Sequence, residues 1–577
     1  MANTRSEPGR FIHPGALALT VAIPLTLIYL ILSPPAGDLA AATYRSALFG
    51  RAGFTTWDTG WYAAHGHWLP GYSLLAPALG WLLGVHVLLV LSAIAACALF
   101  GMIARQAFEE TAARVAAVTF AVGFCVELLS GRVPYDLGFA IGLGAVLALM
   151  RGATPLALAL AVATSVASPV AGAFLAMAGL AGGLAGAFEK SAGPARAHGG
   201  LTAQERLAGA PEKSVGPARA HGGLTAQERL AGAPEKSAGP PRAHGAYAAQ
   251  SNGPTSATDR LASPHIRERG TRAGERATLS IALSIAIDSL AALRAFICGT
   301  GAGERGAPLT IDRLTRHCFA LSGASLAPIV VLNLAFPEGG YEPFAPSLFW
   351  LSLGGVLLIA LLLPQGPLSA RARRVVRLGA ALYGLALIGS FVIATPLGGN
   401  AARLGPPLAA PLMAGVLWEH RRAALLWLAP LLVYWQLVTP INDVAASVGN
   451  PSASATYYTP LLSELERLRH GAPTIVEVPL LESHWEAAFL PGHDGISLAR
   501  GWDRQLDTLY GAIFYRKTLS PAAYRAWLLE NKVYYVALAD APLDGAGRLE
   551  GKLVAGGLPY LRELWHSAHW RLYRVMG

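Results

Sequence analysis

Charge is what this chain has least of. Only 14% of its 577 residues are Asp, Glu, Lys or Arg, against about 25% in an ordinary soluble domain. That density is too low to clothe a string of soluble domains. Cysteine is nearly absent: the four are Cys97, Cys125, Cys298 and Cys318. None has zinc-ligand spacing and none lies beyond 318, so a zinc module and a C-terminal disulfide framework are excluded. They read as small buried hydrophobes. No P-loop, GxSxG elbow or dinucleotide-binding glycine fingerprint occurs, which removes ATP-driven and serine-hydrolase readings. No basic, aromatic-bearing soluble module is visible either, so the net charge of +10 points to no nucleic acid.

Apolar sequence is what the chain has in abundance, with 53% hydrophobic residues and a mean hydropathy of +0.42. Runs at 14–33, 84–103, 114–131, 135–150, 318–335, 346–363, 378–395, 405–418 and 423–438 are long enough to cross a bilayer as helices. The stretch 155–187 is too long for one span and short for two. Ser168-Pro169-Val170 near its middle predicts two short helices broken there. The sum is a polytopic α-helical membrane protein of about eleven spans. Residues 14–33 follow Arg5 and Arg10 and end in Pro34-Pro35 rather than a small-residue cleavage site. A retained first helix is expected, not a signal peptide.

Basic residues orient the bundle. Arg5 and Arg10, the loop carrying Arg371, Arg373, Arg374 and Arg377, and the turn Glu419-His420-Arg421-Arg422 all count to one side, which the positive-inside bias makes cytoplasmic. The other face then receives 34–72, the turn around Arg132, the loop around Glu338-Gly339-Gly340-Tyr341-Glu342, residues 395–405, and everything after about 440. The expected location is the plasma membrane, multi-pass, with a cytoplasmic N-terminus and an extracytoplasmic C-terminal domain. Excess positive charge suits contact with anionic membrane lipids.

Four regions follow. Residues 1–188 form a first transmembrane module with the outer loop 34–72. Residues 189–277 carry near-identical copies of a Glu-Lys-Ser motif starting at Glu189, Glu212 and Glu235; rich in Gly, Pro, Ala and charge, they predict a disordered insert. Residues 278–439 form a second transmembrane module, in which 279–297, bearing Asp288 and Arg294, is expected to pack on the cytoplasmic side. Residues 440–577 predict a small α/β domain. After a linker at 440–456 come a helix over 458–468, a strand over 474–478, a helix from Pro521, a strand over 533–538, an interrupted helix over 548–565 and a closing strand over 570–575.

The candidate chemistry sits at the ends of the apolar runs. Asp38 follows the first span closely and can serve as general base, metal ligand or solvated interfacial charge. Asp58 lies among Trp57, Trp61 and Tyr62, aromatics suited to a membrane interface or to stacking on sugars. His65 and His67, two residues apart, share a face if extended. Pro70-Gly71-Tyr72 and the apolar 73–83 predict a short helix lying along the membrane. Arg132 and Asp136 read as a local ion pair, and Glu127, inside a span, is expected to reach toward Arg132. Glu338 and Glu342 flank a Gly-Gly turn. Gly398-Gly399 lets backbone amides approach a ligand, and Arg403 suits planar recognition of phosphate.

Gly37-Asp38-Leu39, Pro70-Gly71-Tyr72-Ser73, Gly131-Arg132-Val133-Pro134, Ser168-Pro169-Val170-Ala171-Gly172 and Gly398-Gly399-Asn400-Ala401-Ala402-Arg403-Leu404-Gly405 resemble motifs of bacterial integral membrane proteins related to the GT-C class of membrane glycosyltransferases. The likeness covers most of the chain except the insert. It implies a GT-C-like fold and a polyprenyl-phosphate-linked sugar as donor, passed to an envelope glycan or lipid acceptor on the outer face. Asp38 matches the family's first-loop acid, which would bind a divalent ion (Mg or Mn) or deprotonate the acceptor hydroxyl. Many members pair acids in that loop; here Asp38 stands alone until Asp58, the second catalytic candidate. Arg403 and Asn400 would hold phosphate, and Trp57, Trp61 and Tyr62 would line the sugar pocket. His65, His67, Arg132 and Glu338 complete the substrate-binding set. The alternatives are a transporter or flippase for an envelope precursor, which calls for polar residues deep in the spans, and a non-catalytic GT-C-like scaffold.

Overall fold

The computed structural model describes residues 13–191, 311–364, 368–491, 493 and 495–577. The repeats after Ser191 and the segment 279–297 lie outside the described residues.

Each apolar run is helical. The first span, α1, covers Pro14–Leu32; its first turn is capped by His13, whose Nδ1 accepts from the Gly15 amide. Pro34 and Pro35 then stop the helix. The stretch expected to be a loop instead opens as a second helix, α2 (Gly37–Ala52). Its sequence places Asp38 in the first turn, where the helix dipole favours an acid, and follows it with three alanines. A two-stranded hairpin comes next, β1 (Trp57–Asp58) and β2 (His67–Trp68). The short helix expected after Pro70-Gly71-Tyr72 is α3 (Ala76–Leu83).

The bundle continues with α4 (Val85–Ala107), α5 (Glu110–Glu127), α6 (Val133–Met150), α7 (Thr154–Ala167) and α8 (Pro169–Ser191). The break between α7 and α8 falls at Ser168, ahead of Pro169, as the sequence predicts. Beyond the insert come α9 (Ile311–Ala335), α10 (Pro346–Leu362), α11 (Ala370–Val392), α12 (Gly405–Leu417) and α13 (Arg422–Ala445). Among the described residues eight helices, against the eleven or so spans expected, are long and apolar enough to cross a membrane, and α7 and α10 are shorter apolar helices. The chain is a multi-pass membrane protein.

The expected linker at 440–456 is partly wrong, because α13 runs on to Ala445. Then α14 (Ala455–Arg469) leads into a five-stranded sheet. Strands β3 (Thr474–Glu477), β4 (Ile496–Leu498), β5 (Tyr535–Ala539), β6 (Leu561–His566) and β7 (Trp570–Val575) lie in the order β4-β3-β5-β7-β6. The first three are parallel and the last two antiparallel to their neighbours. Four helices accompany the sheet: α15 (Glu486–Phe489), α16 (Arg504–Tyr510), α17 (Pro521–Glu530) and α18 (Arg548–Ala555). The interrupted helix predicted over 548–565 is a correction. Gly556-Gly557 ends α18, and 561–566 pairs as β6 with β7. Strand β4 and helix α16 had no visible periodicity, being three and seven residues long.

The described residues cluster into one compact unit. The C-terminal region is stitched to the first loop by main-chain bonds: Leu498 N donates to Gly60 O at 2.8 Å and Ala63 N to Leu498 O at 3.0 Å.

Candidate functional site

The site grows from three turns that meet at one end of the bundle. The first is the start of α2, carrying Asp38. The second is the turn between α5 and α6, where Gly131 has φ +71° and a Cβ on it would stand 2.9–3.0 Å from Leu39 and Ala36. Only glycine permits that approach, and it brings Arg132 against α2. The third is the 3₁₀ turn Gly398–Leu404 between α11 and α12. There Gly398, at φ +39°, packs so closely on the Glu342 carbonyl that a side chain would collide with it.

Arg132 is the hub. Its Nε donates to Asp38 Oδ2 at 3.1 Å, its Nη1 to Glu127 Oε1 at 2.7 Å and its Nη2 to Asp443 Oδ2 at 3.1 Å. Arg403 Nη2 stands 3.6 Å from the same Asp38 oxygen. The Tyr135 hydroxyl donates to the Arg403 carbonyl at 2.9 Å and fixes the backbone there. Burial pushes the Asp38 carboxyl up, but Arg403 and Arg132 more than offset it and hold it below the usual carboxylate range. Asp38 is therefore ionised at neutral pH. The two arginines leave Arg132 nearly enclosed and Arg403 about a quarter exposed.

Asp38 and Arg403, whose segments the sequence assigns to one face, thus meet. So is the predicted reach of Glu127 toward Arg132. The local Arg132–Asp136 pair is not: Arg132 spends its donors on three other acids, and Asp136 is fully buried with neither oxygen hydrogen-bonded. Asn400 lies on the 3₁₀ turn three residues before Arg403. Residues so spaced eclipse one another in a 3₁₀ helix, so both occupy one edge of that turn.

The remaining predicted site residues are elsewhere. Asp58 accepts from the Tyr44 hydroxyl at 2.9 and 3.1 Å and from the Gly60 amide at 3.1 Å, which pins the hairpin loop. Trp61 is fully buried, stacked on Tyr44 and donating Nε1 to Ala487 O at 2.8 Å. Tyr62, also fully buried, donates to the carbonyls of Gly501 and Asp503. Neither ring has a face left for a sugar; both dock the first loop onto the C-terminal region. Trp57 is 45% exposed and packs edge-on against Trp68. His65 stacks on Tyr510 and meets Asn531. His67 is buried, held down to about 4 by burial and by Arg45. The two histidines thus sit in separate surroundings, His67 stacked on Trp61. Glu338 accepts from Gln505 Nε2 at 3.3 Å, and burial together with Asp503 pushes its carboxyl up to about 7. In the C-terminal region Trp485 donates to Pro35 O, Trp502 stacks on His484 and Tyr510 stacks on His65.

Two participants escaped the sequence reading. Asp443 looked like linker, although an acid in the last turn of an apolar span was a signal. His484 comes from the C-terminal region. It adopts φ +60°, a conformation uncommon for a side-chain-bearing residue, and stacks on Trp502 with ring centroids 3.4 Å apart. Its Cδ2 stands 3.3 Å from where a Cβ on Gly37 would lie, so it covers the start of α2. Its Nδ1 is buried without a partner. Burial holds it down to about 3 despite nearby Asp544, so it is neutral. Nothing in the chain's local pattern places it above Asp38.

Asp38 Oδ2 is shared between two guanidinium groups, and no group of three or more His, Cys, Asp or Glu among the described residues could hold a metal ion.

No family model and no curated protein matches the chain. Among solved structures it is similar to the archaeal oligosaccharyltransferase AglB from Archaeoglobus fulgidus in complex with an inhibitory peptide and a dolichol-phosphate. The TM-score is 0.45 with 10% identity, covering 90% of this chain and 69% of that one. At that level the likeness gives no residue a role.

Proposed function

We propose that the chain is a GT-C-like membrane glycosyltransferase that moves a sugar from a polyprenyl-phosphate donor to an envelope glycan or lipid acceptor on the outer face. The observation that carries this reading is the meeting of Asp38 and Arg403 at 3.6 Å on the edge that also bears Asn400. A carboxylate about a quarter exposed, beside an arginine at the mouth of an apolar bundle, suits a substrate with a phosphate head and a long apolar tail.

In the proposed reaction the acceptor oxygen bonds to the anomeric carbon while the bond from that carbon to the phosphate oxygen breaks. The phosphate leaves on Arg403 and Asn400, and the acceptor proton goes to Asp38. Clamped by two guanidinium groups, Asp38 is a weak base, since a good base has a pKa near the working pH. A phosphate that takes up Arg403 weakens that clamp and makes Asp38 more basic where the donor has arrived. Asp443 and Glu127 keep Arg132 in place and so keep Asp38 aimed.

The test compares envelope glycans in a deletion strain complemented with wild type, Asp38→Asn or empty vector, with membrane levels of the protein checked. Loss of one glycan linkage with empty vector and with Asp38→Asn, but not with wild type, supports the reading. Unchanged glycans in the deletion strain overturn it. Loss in the deletion strain that Asp38→Asn fully restores favours the scaffold reading, to which the saturated ion pairing of Arg132 also speaks.

A further inference from the structure

A second site lies at the opposite end of the bundle from Asp38. Helix α6 begins beside Arg132 and ends beside Arg151, and its 18 residues separate the two by about 27 Å, close to the thickness of a hydrocarbon core. Helix α11 likewise begins at Ala370, next to Arg371, and ends short of the Arg403 turn.

At that far end α4, α6, α8, α9 and α11 enclose a cavity of about 630 Å³, within the range that takes a small ligand. Its wall is apolar, with Val146, Leu149, Leu314 and Leu321, and its edge carries Arg151 and Arg371. Small residues open the space, since α8 presents Ala178, Gly179 and Gly182 there. The two arginines are weakly engaged. Arg151 is exposed and directs Nη2 to the Met102 thioether at 3.6 Å, a neutral and weak acceptor. Arg371 has Glu189 at 4.0 Å, the outer limit of an ion pair. An apolar chamber between spanning helices, open at a membrane surface and rimmed by two loosely held cations, matches one class of occupant: an acyl chain with an anionic head.

We propose that this cavity binds one anionic phospholipid, its acyl chain along Val146, Leu149, Leu314 and Leu321 and its phosphate between Arg151 and Arg371. Charge complementarity favours it over a zwitterionic lipid, whose phosphate carries its own ammonium. The site is separate from the Asp38 cluster and does not depend on the reaction proposed there. It takes a lipid from the opposite leaflet, so its occupant is not the donor.

The experiment is native mass spectrometry of the full chain in detergent, titrated with dioleoyl phosphatidylglycerol or dioleoyl phosphatidylcholine. One saturable adduct is expected, with phosphatidylglycerol favoured by about ten-fold or more. Arg151→Gln with Arg371→Gln should abolish the preference, and Val146→Trp should remove the adduct by filling the chamber. The arginine pair lies at the surface, so that variant reports even where Val146→Trp fails to fold. Equal uptake of the two lipids by wild type, or a preference that survives the double substitution, overturns the proposal.

Discussion

Arg132 Nη2 and Asp443 Oδ2 lie 3.1 Å apart, joining the turn between α5 and α6 to the last turns of the final spanning helix. That contact closes the ring of elements around Asp38. Three carboxylates share one nearly enclosed guanidinium, so the cluster stands or falls together.

Arg132→Met strands Asp38, Glu127 and Asp443. Removing one partner from a buried ion pair costs about 3–5 kcal/mol. The variant should lose thermal stability in detergent by that order. Arg132→Lys, which cannot reach three acids in a fixed plane, should restore only part.

Arg403 is less enclosed and its ion pair is longer, so its loss should cost little stability. A charged hydrogen bond to a phosphate is worth about 1.5–3 kcal/mol. Arg403→Ala should therefore lower transfer from a polyprenyl-phosphate sugar by roughly ten- to hundred-fold in kcat/KM, with a nearly unchanged melting temperature. A radiolabelled transfer assay on purified protein measures the first quantity and light-scattering-detected unfolding the second.

Asp136 and Glu127 are close in sequence but differ in partners. Asp136 has none, whereas Glu127 is bonded to Arg132 at 2.7 Å. Asp136→Asn should leave the melting temperature unchanged or raise it. Glu127→Gln should lower it, because the Arg132 charge loses its shortest contact.

His484 and Glu338 should give opposite pH signatures. Burial depresses His484 from its usual value to about 3, so the unfolded chain takes up its proton first. Its contribution to stability is complete above the unfolded value near 6.5 and is lost as pH falls toward 3. Glu338 is raised to about 7, so the folded chain holds its proton longer, and stability is lost as pH rises from the ordinary glutamate value toward 7. His484→Gln should flatten the acid-side fall in melting temperature. Glu338→Gln should gain on wild type as pH is taken from 5 to 8. Melting curves from about pH 3 to pH 8 decide both.

Trp61 and Trp57 test the docking of the first loop. Trp61 is fully buried between Tyr44 and the C-terminal region, and Trp57 is 45% exposed. Trp61→Ala should cost about 3–5 kcal/mol and expose the loop to limited proteolysis. Trp57→Ala should do neither.

The runs of apolar residues determined the spanning helices, because a helix in hydrocarbon must satisfy its own backbone and twenty or so apolar residues leave no other solution. Pro169 set the break between α7 and α8, since proline removes a donor and disfavours helical geometry in the residue before it. The Gly398-Gly399 turn and Arg403 were legible as a polar turn between two spans, and Asp38 from its place just past a span. The 34–72 segment misled, because α2 is short and mixes small, polar and charged residues rather than being long and apolar, and the aromatic residues after it looked like a sugar platform.

What composition could not supply was which polar side chains face one another. Sequence set the position and order of the apolar helices, because that depends on local transfer from water to lipid. Only the packed structure turned Arg132 away from Asp136 and added Asp38 and Asp443 to the expected Glu127 contact, and only it laid His484 over Gly37. Those choices depend on contacts between residues far apart in the chain, made where Gly131 lets two backbones come close.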